Sequence, residues 1–204
     1  MLYELLRFGH LIGLILIAAG LIGVFLADIR TRQARTLPVF AEAVRNIALF
    51  YDGLVVPGAL LLLGSGTWLI VAFYDGWAFL QVPWLAGMVL LFAFELVEGN
   101  TITRRYFLKL RRLSVEALRQ GRFTPELEQV RAEPVPTFTH FLDLPILMLI
   151  VSLGVLRPDS WAHFLVGAAV AIAVATALTL LLPRLYSADP MLASARTREP
   201  DRSA

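Results

Sequence analysis

Apolar residues run along this chain in five long blocks, at about 5–27, 49–73, 79–97, 137–156 and 161–182, and the stretches between them hold most of the charge. Each block has the ~20 residues that an α-helix needs to cross ~30 Å of hydrocarbon. Hydrocarbon offers no partner to a backbone N–H or C=O, so blocks of this length predict helices that pair their own backbone groups. The pattern predicts an all-α, polytopic transmembrane helical bundle of five spans: a four-helix core plus one.

The connecting stretches carry their own signals. Pro38, after Thr36 and Leu37, suits the first turn of a helix, and Val39, Phe40, Ala43, Val44 and Ile47 form an apolar stripe leading into span two. Pro57 has no backbone donor and predicts a bend in span two, with Gly58, Gly64 and Gly66 available for close approach of a neighbour. After span three, Ile102, Tyr106, Leu110, Leu113 and Ala117 recur at helical spacing beside Arg104, Arg105, Lys109, Arg111 and Arg112. That predicts a basic amphipathic helix lying near anionic lipid headgroups. Thr124 before Pro125, Glu126 and Glu128 predicts a short capped helix that ends before Pro134. One transmembrane domain is expected at 1–186, with a cytoplasmic loop at 99–136 and a polar, disordered tail at 187–204.

The position of each charge matters more than the formal net charge of +2. Of the 18 Lys and Arg, 16 fall in the stretches after spans one, three and five, leaving Arg7 and Arg157 on the other side. The positive-inside rule then predicts the N-terminus outside and the C-terminus in the cytoplasm of a bacterial inner membrane. Span one is too long for the apolar core of a secretory signal and is followed, not preceded, by its basic cluster, so it is expected to stay uncleaved.

Composition narrows the chemistry. At 58% hydrophobic and 17% charged, the chain is not a water-soluble domain. The absence of cysteine excludes thiolate metal sites, iron–sulfur clusters, disulfides and c-type haem attachment. No phosphate-binding glycine loop, HExxH or Gly-x-Ser-x-Gly occurs. The basic segments lack the interleaved aromatics of a nucleic-acid platform, so membrane partners are expected: lipid, a second copy or another membrane protein.

Ionisable residues inside spans are the sharpest functional signal, since hydrocarbon penalises each by several kcal/mol unless it is paired or hydrated. His10, beside Gly9 and Gly13, and His163, beside Trp161, share one depth. Each is a candidate cofactor ligand, and together they allow a bis-histidine haem b; the alternatives are a helix-to-helix hydrogen bond for His10 and an interfacial position for His163. At the other end lie Asp52, Glu95, Glu98, His140 and Asp143. Glu95 and Glu98 are three apart, as are His140 and Asp143, so each pair shares a helix face and the set is a candidate divalent-metal or proton site. The competing reading pairs these carboxylates with Arg45, Arg104 and Arg105 as structural anchors.

Gly9-His10-Leu11-Ile12-Gly13, the Pro57-Gly58 and Gly64-x-Gly66 of span two, and Phe141-Leu142-Asp143-Leu144-Pro145 leading to Val155-Leu156-Arg157-Pro158 resemble the HemJ-type and CopD-type membrane proteins. That resemblance implies a b-haem-associated redox protein, with His10 at the position of a haem ligand and protoporphyrinogen oxidation as the activity. The chain departs from the pattern at Trp84-Leu85-Ala86-Gly87, which lacks the family's lysine, and at Leu142-Asp143-Leu144-Pro145, where Asn-Glu-x-Pro is usual. Glu98-Gly99-Asn100-Thr101-Ile102-Thr103-Arg104 is also similar to a segment of uncharacterised bacterial integral membrane proteins. Three readings follow: a haem redox protein, a non-enzymatic membrane subunit or scaffold, and a proton- or metal-coupled transporter.

Overall fold

The computed structural model describes residues 1–187, and side chains through residue 182; the tail expected beyond lies outside the described residues. Five helical runs are long and apolar enough to cross a membrane. Span one is α1 (Leu2–Gln33). Span two comprises α2 (Leu37–Phe50), a π-helical turn (Tyr51–Val55) and α3 (Val56–Phe73). Span three follows a 3-10 turn (Gly76–Gln81) and comprises α4 (Pro83–Glu98), a second π-helical turn (Gly99–Thr103) and α5 (Arg104–Gln120). The short α6 (Pro125–Arg131) precedes span four, α7 (Pro134–Leu156), and span five, α8 (Ala162–Ser187). No strand occurs among the described residues.

Several local expectations hold. Pro38 sits in the first turn of α2, and the Thr124 hydroxyl accepts the Leu127 N–H at 3.3 Å to cap α6. The bend expected at Pro57 takes a specific form: the wide turn lies just before it, where the Val56 N–H reaches back to the Tyr51 carbonyl. A π-turn rehouses backbone groups that a proline would otherwise strand, and such turns recur at functional sites.

Spans two and three continue as helix well past the apolar blocks, and these extensions pack on each other. Tyr106, Leu110, Leu113 and Ala117 of α5 are buried against Phe40, Val44 and Ile47 of α2 and Leu127 and Val130 of α6. The α5 stripe expected at the lipid surface is therefore the core of a helical cap, because α2 and α6 supply apolar partners; only its basic face turns outward. Arg131 locks this cap to span one: its guanidinium lies over Phe40 (4.8 Å) and Phe123 (5.4 Å) and donates to the Thr31 carbonyl at 3.1 Å. We call this the basic end of the bundle, and the other the N-terminal end.

Within the bundle, α1 crosses α3 where Gly13 and Gly58 meet. A Cβ on Gly58 would lie 2.8 Å from the Gly13 carbonyl oxygen and the Ile17 nitrogen, so glycine permits backbone contact there. Gly9 and Gly64, expected at helix contacts, face open space instead. Leu91, Phe141, Leu149 and Leu153 form a second core joining α4, α7 and α8. Ile17, Leu21, Leu62 and Leu147 join α1, α3 and α7.

Candidate functional site

At the basic end the bundle buries more charge than it pairs. Asp28, on α1, is 1% exposed and receives Arg32 Nε at 2.8 Å, while Arg32 also donates to Thr137 Oγ1 at 3.3 Å and lies over the Phe141 ring. That pair is closed. Glu98 on α4 is 5% exposed; its Oε1 accepts the Thr103 hydroxyl at 2.7 Å, and its Oε2 is buried with no partner. Thr103 Oγ1 in turn stands 3.3 Å from Thr139 Oγ1 on α7.

His140 is 3% exposed, boxed by the rings of Phe25, Phe107 and Phe141. Its Nδ1 is 3.4 Å from Asp143 Oδ2, but neither ring nitrogen makes a hydrogen bond. Asp143 is itself 5% exposed. Glu95, half-buried on α4, and Asp143 line one cavity of about 190 Å³ between α3 and α4. Two carboxylates lining one largely apolar cavity repel each other, and a proton held by either of them relieves that repulsion.

The anchoring alternative fails for three of these groups. Among the described residues no Lys or Arg pairs with Glu95, Glu98 or Asp143. Arg104, in the cavity lining, is taken by Asp52 at 3.5 Å, and Asp52, expected in the same network, is 55% exposed and outside that lining. The two π-turns contribute Tyr51, Val55, Gly99 and Asn100 to the cavity lining and are tied together by the Tyr51 hydroxyl donating to the Gly99 carbonyl at 3.0 Å. Among the described residues no three or more His, Cys, Asp or Glu side chains are grouped to hold a metal ion.

Sequence reading missed the Asp28–Arg32 pair, although its i, i+4 spacing was visible; Arg32 counted only as a flanking charge. It also gave no sign that two cavities lie in line. The second, of about 220 Å³, sits toward the N-terminal end with His10 in its wall. Leu62, Phe92 and Ile150 border both cavities and form the layer between them.

The two histidines go to different neighbours. His10 Nδ1 is 3.0 Å from Ser65 Oγ on α3, whereas His163 Nε2 is 3.1 Å from Ser152 Oγ on α7. The cavity beside His10, of about 220 Å³, is smaller than the ~300–1,000 Å³ typical of pockets for drug-sized ligands. His163 borders a separate apolar groove of about 840 Å³ between α7 and α8.

No curated protein and no solved structure matches this chain. The family described as "Predicted integral membrane protein (DUF2269)" matches residues 4–158, which end just before α8. Spans one to four, with the buried acidic groups and both in-line cavities, thus fall within the matched segment, and the chain belongs to this integral membrane protein family.

Proposed function

We propose that this protein is a proton-coupled membrane transporter whose coupling site is the Glu95–Asp143 pair, supported by Glu98 and His140. One observation carries the reading. Two cavities lie end to end inside the bundle, one holding unpaired carboxyl groups and the other His10, parted only by Leu62, Phe92 and Ile150. A scaffold gains nothing from uncompensated carboxyls, which cost several kcal/mol in hydrocarbon. A carrier needs them: protonation and deprotonation at a site reachable in turn from either end is how a proton gradient does work.

The roles follow from position. Glu95 and Asp143 hold the exchangeable proton. Glu98, with Thr103 and Thr139, offers a hydroxyl-linked path toward the basic end, where Arg104 pairs with Asp52. His10 is the titratable group on the far side of the apolar layer. By the distribution of basic residues, the basic end faces the cytoplasm of a bacterial inner membrane. In proteoliposomes loaded with a pH dye and given an imposed proton gradient, the wild type is expected to change internal pH and the Glu95→Gln/Asp143→Asn variant is not. Equal responses from the two would overturn the reading.

A second reading is favoured by the groove beside His163, whose volume suits a porphyrin. His163 would hold haem b through Nδ1, the nitrogen that Ser152 leaves free, and the bound group would supply one-electron redox chemistry. A featureless optical spectrum of protein purified from haem-supplemented cells would remove it.

A further inference from the structure

The 190 Å³ cavity at the basic end has an unusual wall. Leu21, Val55, Ala59 and Phe92 make most of it apolar, yet Glu95 and Asp143 both enter it. Asp143 is nine-tenths buried, and its Oδ2 stands 3.4 Å from His140 Nδ1. Glu95 Oε1 is buried without a partner. A bare metal ion is poorly served here, since hard cations need six or more oxygen ligands, and besides the two carboxyls the polar lining is only Tyr51, Gly99, Asn100 and the cationic Arg104. A neutral apolar guest would leave the carboxyls unanswered. The guest that satisfies both features carries one positive charge on an apolar body.

We propose that this cavity binds a small hydrophobic ammonium ion, its charge between Glu95 and Asp143 and its apolar part against Phe92 and Ala59. At interior packing density the volume takes a body of about ten non-hydrogen atoms. Binding exchanges one charge for another: the ammonium enters, and the proton held by the carboxyl pair leaves to solvent. This rests on the proton-coupled reading and names its substrate class. Arg104, in the cavity lining and paired with Asp52, disfavours a doubly charged guest.

The test uses the purified full chain in nanodiscs, titrated with benzyltrimethylammonium and, separately, with uncharged benzyl alcohol, reading heat and proton release to an indicator dye. The expected result is saturable binding of the cation at least tenfold tighter than the alcohol, with about one proton released per cation bound. Affinity should fall at least tenfold in Glu95→Gln and, with both carboxylates left in place, in Ala59→Leu, which fills the cavity. Equal affinity for cation and alcohol, or cation affinity unchanged in both variants, would overturn the proposal. No cation binding, with the proton response of the proteoliposomes intact, would remove this substrate class alone; loss of both would remove the proton-coupled reading as well. A Glu95→Gln chain that fails to fold leaves the Ala59→Leu comparison to decide.

Discussion

The hydroxyl of Tyr51 donates to the carbonyl of Gly99 at 3.0 Å, and this bond joins the two π-helical turns of the bundle at one depth. Each turn belongs to a different span, and each leaves carbonyls off the regular helical ladder, so a side chain that answers one of them fixes the spacing of the two turns at the cavity. Removing the hydroxyl in Tyr51→Phe strands the Gly99 carbonyl and should lower stability by ~1 kcal/mol. Thermal unfolding of purified protein checks this. Gly99→Ala would set its Cβ 3.1 Å from the same hydroxyl oxygen, so the Tyr51 ring must give by a few tenths of an ångström, and the same melting measurement reads whether the bond survives.

The α1–α3 crossing predicts a contrast between glycines. Gly58→Leu drives a side chain into the backbone of α1 and should destabilise by ~1–3 kcal/mol or more, as overpacking does. Gly9→Ala meets nothing within 4 Å and should be neutral. Melting temperatures of the two variants beside wild type decide it.

Asp28 and Arg32 form a closed buried pair, so cutting one side is worse than cutting both. Asp28→Ala alone leaves Arg32 with no carboxylate and should cost ~3–5 kcal/mol, whereas Asp28→Ala with Arg32→Leu should recover much of that loss. A double-mutant cycle on unfolding measures the coupling.

The layer of Leu62, Phe92 and Ile150 is the barrier between the cavities. Phe92→Ala removes its largest member and should raise passive proton leak about tenfold, the change given by a barrier lowered ~1.4 kcal/mol. Leak through proteoliposomes, measured with a pH dye, should be raised by Phe92→Ala and not by the lipid-facing Leu90→Ala.

The chain has no cysteine, so single cysteines report sidedness without background. If the chain is oriented as the positive-inside rule predicts, Asp159→Cys should react with a membrane-impermeant maleimide in intact cells, and Arg122→Cys only after permeabilisation. The reverse pattern would invert the topology.

Much of this architecture was legible in the sequence because membrane spans are written in local composition. Five apolar blocks became five spans, and proline and threonine punctuation placed the starts of α2 and α6. Glu98, His140 and Asp143 stood out as charges where hydrocarbon tolerates few, and all three are buried. What composition could not show was who faces whom. The α5 stripe has the same pattern whether it meets lipid or protein, and only the fold gave it α2 and α6 as partners. Asp52 and Glu95 both stand at one end of an apolar block, yet one is 55% exposed beside Arg104 and the other lines the cavity. The in-line cavities arise from the separation of α3 and α4, a relation between distant segments that no local pattern encodes.

The central claim is that Glu95 and Asp143 share a proton inside the bundle, and infrared spectroscopy of the protein in hydrated lipid reads that proton directly. The account predicts a protonated-carboxyl stretching band that shifts in deuterated water and is altered by both Glu95→Gln and Asp143→Asn, with Glu126→Gln, an exposed control, leaving it unchanged. A carboxyl region that neither buried substitution alters would contradict it.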